Sequence, residues 1–145
     1  MKPVKVGLIG SGIISWTYLD NMVNRFDSVE VMGCSDLIPE RSAARAEEFG
    51  IRQMTNQEIY DDPEIGIVVN TTNWGSHTQV IREAILAGKH VYTEKSLAPT
   101  YEEACEIAAL AAEKGVRIGC APDTFLGGGY QTCRKLIDDG YIGKP

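Results

Sequence analysis

The alternation of apolar and helical runs along this chain of 145 residues predicts an α/β fold built on a doubly wound parallel sheet. Three observations predict it. Short β-branched runs alternate with longer runs of helical character over the whole length. Several of the short runs are apolar with little alternation, as expected of parallel strands covered on both faces. The first of them enters a glycine turn, Gly10-Ser-Gly12, that opens a helix, and an acid, Asp36, closes the next apolar run.

The first strand is read over 4–9 and the helix after it over 13–25. Between them Gly10 allows a sharp turn, and Gly12 has no side chain to keep a pyrophosphate from the backbone. A helix opening there, through Ile13 and Ile14, aims unpaired N–H groups and a partial positive charge at phosphates. The third small position of the pattern holds Ser15, where Gly or Ala is usual. A second strand, 29–34, leads to Asp36, and Pro39 suits the first turn of a helix over 40–49 that Gly50 closes. A weaker strand is expected near 51–54, with stronger ones over 66–70, 90–93 and 116–120. Helices are expected over 76–87, 101–114 and 129–139. Ser76 with Gln79, and Thr100 with Glu103, have capping-box spacing. Gly88, Gly115 and Gly140 stand where left-handed caps close helices. Alternation at this spacing implies one sheet with right-handed crossovers.

Composition narrows the function. A chain 43% hydrophobic is one ordinary domain with a real core, and no apolar run approaches the ~20 residues of a membrane helix. The first strand begins at once, leaving no room for a signal peptide. Four cysteines without a C-x-x-C pair, and only two histidines, argue against a metal site and for reduced thiols in a cytoplasm. A net charge of −6 disfavours nucleic acid, which needs clustered Lys and Arg. Neither nucleic acid nor membrane is expected as a partner.

Asp36 is placed to accept the ribose hydroxyls of an adenosine. Hydrogen bonds to a charged group are worth about 1.5–3 kcal/mol. Its charge repels a 2′-phosphate and so favours NAD over NADP, although Arg41 lies close in sequence. Asp36 can also serve simply as the cap of the turn before Pro39. The 88–98 segment ends a strand on Glu94-Lys95, and strand C-termini in open α/β sheets face the ligand crevice. A cation there can hydrogen-bond a substrate hydroxyl and stabilise the alkoxide formed as hydride leaves. A lysine acting as base must titrate well below its ordinary value of about 10.4. The alternative is a solvated loop lysine.

Thr71, Thr72, Asn73 and Trp74 are read as lining the same mouth, with Trp74 either offering its face to a cofactor ring or simply exposed. His77, in the first turn of its helix, either borders that mouth as a candidate catalytic and cofactor-binding residue or merely bonds the neighbouring loop. Asp123 and Thr124 follow the last strand, where they can touch the nicotinamide or the substrate, and glycines 127–129 can form a hinge.

The glycine loop, Asp36, the stretch Thr71 to His77, the block Gly88 to Lys95 and the ending Leu136 to Gly143 resemble the Gfo/Idh/MocA oxidoreductases over essentially the whole chain. The resemblance implies an NAD(P)-binding Rossmann domain over 1–122 and a crossing segment over 123–145. It also implies a second mixed α/β domain, outside this chain, that brings further catalytic residues and mediates homo-oligomers. It implies hydride transfer between the nicotinamide and a sugar- or cyclitol-like alcohol or ketone. Lys95 matches the catalytic lysine, and Gly10, Gly12 and Asp36 match the cofactor loop and ribose acid. In the resemblance His77 borders the nicotinamide side. Ser96 and Asn73 stand where the family carries prolines. Without proline at 96 the Lys95–Ser96 bond is expected to be trans.

Two other functions compete. One is a non-catalytic NAD(P)-responsive regulator of the same fold. The other is an S-adenosylmethionine-dependent transferase, which also uses an acid at position 36, but the 88–98 block argues against it.

Overall fold

Six parallel strands carry the computed structural model, which describes residues 2–121 and 124–144. The strands are β1 (Val4–Ile9), β2 (Val29–Ser35), β3 (Arg52–Gln53), β4 (Ile67–Asn70), β5 (His90–Thr93) and β6 (Ile118–Cys120). Their order across the sheet is β3-β2-β1-β4-β5-β6. The helices are α1 (Ser15–Asn24), α2 (Pro39–Phe49), α3 (Asn56–Asp61), α4 (His77–Leu86), α5 (Tyr101–Lys114) and α6 (Gly128–Asp138). Chain order reverses direction between β1 and β4, which pair in parallel from Val6↔Ile67 to Ile9↔Asn70. That reversal is the topological switch point, and the carboxyl ends of these two strands bound a crevice.

Apolar residues on both faces explain why the sheet is covered twice. Leu19 and Met22 of α1 and Ala46 of α2 pack with Val6, Leu8, Cys34 and Val69. On the other face Ile59 of α3, Val80, Ile81 and Ile85 of α4, and Ile107 and Ala111 of α5 pack with Ile9, Val68 and Val91. Each fully buried Ile or Leu contributes roughly 1.5–3 kcal/mol. β1 is central because Leu8 serves one layer and Ile9 the other.

The element order follows the sequence expectation, with two departures. The short helix α3 was not anticipated. Thr55 Oγ1 accepts from the Glu58 N–H at 3.2 Å, and the Glu58 carboxylate accepts from the Thr55 N–H at 2.7 Å, a full capping box. The box expected at Ser76 and Gln79 does not form. A 3₁₀ turn over Trp74–Ser76 runs straight into α4, and the His77 N–H already donates to the Trp74 carbonyl. Ser76 points instead to Asn73, and Gln79 to Glu83. Thr100 does cap α5, but Glu103 turns to Thr78 and ties α5 to α4. Gly50, Gly88, Gly115 and Gly140 are all left-handed, as expected of helix closers.

No helix among the described residues is long and apolar enough to cross a membrane. No group of three or more His, Cys, Asp or Glu among them could hold a metal ion. Helix α6 contributes no buried residue.

Candidate functional site

The glycine turn is locked to the neighbouring strand. Gly10 has φ +100, and a Cβ on it would stand 2.5 Å from the Thr72 nitrogen and 2.6 Å from the Thr71 carbonyl carbon. Thr71, buried, donates its hydroxyl to the Gly10 carbonyl at 2.6 Å and its N–H to the Ile9 carbonyl at 2.8 Å. Gly12 is the opposite case, since a Cβ there would meet nothing within 4 Å and would project into open space. Ser15 fits the third small position because its buried hydroxyl donates back to the Gly12 carbonyl at 2.6 Å. Helix α1 opens without a side-chain cap or an acid in its first turn, which leaves its positive end available to an anion.

Asp36 forms the cap expected of it and reaches the glycine loop. One carboxylate oxygen accepts from the Ser11 N–H at 2.7 Å and the other from the Ile38 N–H at 2.8 Å. It therefore caps the turn before Pro39 and also stands at the glycine loop. A carboxylate offers about four acceptor positions, so capacity for two ribose hydroxyls remains.

A cleft of about 500 Å³ gathers most of the sequence candidates. Its lining includes Gly10, Gly12, Ile13 and Ile14 of the glycine turn, Asp36 after β2, and Thr71, Thr72 and Asn73 after β4. A wider cavity of about 820 Å³ adjoins it and shares Asp36, Leu37, Asn56 and Glu83. Ser11 and Asn56 escaped the sequence reading. Ser11 donates its hydroxyl to the Ser35 carbonyl, and the Ser35 hydroxyl bonds Asn56. The capping box at Thr55 and Glu58 was the available signal for Asn56.

Trp74, His77, Glu94 and Lys95 lie outside the lining of that cleft. Trp74 is 69% exposed in its 3₁₀ turn. His77 is 1% exposed, with Nδ1 2.6 Å from the Ser96 carbonyl and Nε2 3.0 Å from the Thr72 carbonyl. Its ring therefore bridges the β4–α4 and β5–α5 loops, as in the loop-bonding alternative. The Lys95–Ser96 bond is cis, against the expectation of trans. The Ser96 carbonyl, in the next peptide unit, is the one His77 meets. Lys95 is exposed. Glu94 beside it accepts from the Tyr18 hydroxyl at 2.7 Å and from the Lys95 N–H at 3.1 Å. Beneath this turn Asn70 and Thr93, paired in register, are fully buried. Asn70 accepts from the Thr72 N–H and hydroxyl. The Cys120 thiol nearby is pushed up by burial first and by the Glu94 charge second, so it stays protonated near neutrality. Asp123 lies outside the described residues.

The sequence matches a family model described as an oxidoreductase family with an NAD-binding Rossmann fold over residues 4–121. Inositol 2-dehydrogenase/D-chiro-inositol 3-dehydrogenase of Lactiplantibacillus plantarum is 29% identical over 97% of this chain and 41% of its own length. A 1,5-anhydro-D-fructose reductase of Ensifer adhaerens is 35% identical over 96% of this chain and 42% of its own. Biliverdin reductase of Synechocystis sp. PCC 6803, solved with biliverdin and NADP+, superposes with a TM-score of 0.86 at 29% identity. That match covers 95% of this chain and 44% of the reductase. The chain thus spans well under half the length of the relatives it matches.

Proposed function

The chain belongs to the Gfo/Idh/MocA oxidoreductase family with its NAD-binding Rossmann fold, and from that premise we propose that it is the cofactor-binding half of an NAD-dependent dehydrogenase or reductase. Its substrate in that reading is a sugar- or cyclitol-like alcohol or ketone, the class to which inositol and anhydrofructose belong. The observation that carries the proposal is the cleft at the switch point, lined by both the side-chain-free Gly12 and Asp36.

These residues fit a dinucleotide. The open space over Gly12 and the uncapped start of α1 suit a pyrophosphate, and Asp36 suits the adenosine ribose. Thr71 and Thr72 build the wall, and Ile13 and Ile14 flank the phosphates. When bound, the nicotinamide supplies the acceptor or donor of hydride. Lys95, at the end of β5, donates a hydrogen bond to the substrate oxygen and stabilises negative charge developing there. Glu94, held by Tyr18, fixes the turn that carries Lys95. His77 holds the same turn from beneath through Ser96. NAD is favoured over NADP because Asp36 places a negative charge at the ribose hydroxyls. Segment 123–145 serves as the crossing to a substrate domain.

Calorimetric titration with NAD, repeated on Asp36→Ala, tests the reading. Affinity falls by roughly one to two decades on mutation, as loss of hydrogen bonds to a charge implies. Absence of NAD binding, or an unchanged affinity in the variant, defeats it.

A further inference from the structure

Resting on the reading of the cleft as the seat of NAD, we propose that Glu83 of α4 is a second determinant of cofactor choice, one that excludes a 2′-phosphate by charge. Asp36 and Glu83 each line both the smaller cleft and the wider cavity beside it. They stand on different elements, Asp36 after β2 and Glu83 on α4, so acidic residues from two elements line both spaces. A ribose bonded to Asp36 lies in the space that Glu83 also lines, and a phosphate on it would bring nearly two further negative charges toward both.

The surroundings do not neutralise them. Among the described residues neither Asp36 nor Glu83 forms an ion pair. The wider cavity adds Glu58 and Asp61 and no lysine, arginine or histidine. Arg41 is the one cation among the residues lining the cleft, and its side chain is exposed. Glu83 is also fixed in place. Its carboxylate accepts from Gln79 Nε2 at 3.0 Å, and the buried Tyr60 ring lines the same cavity. The Tyr60 phenol is pushed up by burial first and by the Glu83 charge second, so the carboxylate's field is felt at this wall.

The test is titration of the chain with NAD and with NADP at low and at high salt, repeated on Glu83→Gln and Glu83→Asp. The ratio of NADP to NAD affinity rises roughly three- to tenfold in Glu83→Gln, the size expected for removing one charge several ångströms from a phosphate. In the parent the ratio also rises with salt, and it rises less in Glu83→Gln. Glu83→Asp keeps the charge and stays near the parent. An unchanged ratio in Glu83→Gln overturns the proposal, as does an equal loss of both cofactors that Glu83→Asp fails to restore. A parent chain that binds neither dinucleotide refutes the reading of the cleft, and this inference falls with it.

Discussion

Two glycines, two positions apart, are expected to respond to the same substitution in opposite ways. Gly10→Ala places a methyl group 2.5 Å from the Thr72 nitrogen and 2.6 Å from the Thr71 carbonyl carbon, at a φ of +100 that L side chains rarely adopt. The clash is with backbone, so no rotamer relieves it, and β4 must shift from β1. Adding the conformational penalty to an overpacking cost gives roughly 3–5 kcal/mol of lost stability. For a domain of this size that is a fall in melting temperature of about 10–15 °C. Gly12→Ala meets nothing within 4 Å, so stability stays within about 0.5 kcal/mol of the parent. Its methyl group instead occupies the space assigned to the pyrophosphate, and NAD affinity falls by roughly one to two decades. Thermal melts and calorimetric titration of both variants make the comparison. Equal melting temperatures for the two variants would refute the packing argument. Parent-like NAD affinity in Gly12→Ala would refute the placement of the phosphates.

Two further outcomes follow from buried polar groups. His77→Ala removes the bridge between the Ser96 and Thr72 carbonyls and leaves a cavity beneath the lysine turn, costing roughly 2–4 kcal/mol in urea unfolding. A cost under 1 kcal/mol would show that the bridge carries no weight. Tyr60→Phe removes a buried hydroxyl that lies beside the Glu83 carboxylate without a well-formed hydrogen bond to it, so stability is unchanged or rises by up to about 1 kcal/mol. The parent phenol is held un-ionised by burial, while an unfolded tyrosine ionises near its ordinary value of about 10. Its contribution is therefore complete below pH 10 and is lost as pH rises from there toward the higher folded value. Urea midpoints of parent and variant between pH 8 and about 11 should move apart on the alkaline side, the parent falling below the variant, and parallel curves would contradict this.

Local signals made most of the fold legible. The turn after β1 declares itself because Gly10, Gly12 and Asp36 each answer a local backbone or charge requirement. Pro39, Gly88 and Gly115 mark helix ends for equally local reasons. Helix α3 escaped because six residues are too few to show a period, although its Thr55 and Glu58 box was readable. At the site, the role of His77 was not legible. Its partners belong to two loops that meet only in the folded chain. The Tyr18–Glu94 bond joins residues 76 positions apart, and nothing at either end announces it. The Lys95–Ser96 geometry departs from a rule that is sound for isolated peptides, and no local residue signals it.

Helix α6 stands apart from all of this. Its 11 residues bury nothing, and Tyr130, Leu136 and Ile137 on it are exposed. It is close to the length, about 12–15 residues, below which helices are marginal in water. The Arg134–Asp138 and Lys135–Asp139 pairs are solvent-exposed and add little. Amide protons in α6 therefore exchange at a rate set by local fraying, while those of β1 and β4 wait for the whole sheet to open. Filling the cleft with a dinucleotide slows exchange in the sheet by mass action and leaves α6 untouched. One chain thus keeps two clocks, and a ligand slows only one of them.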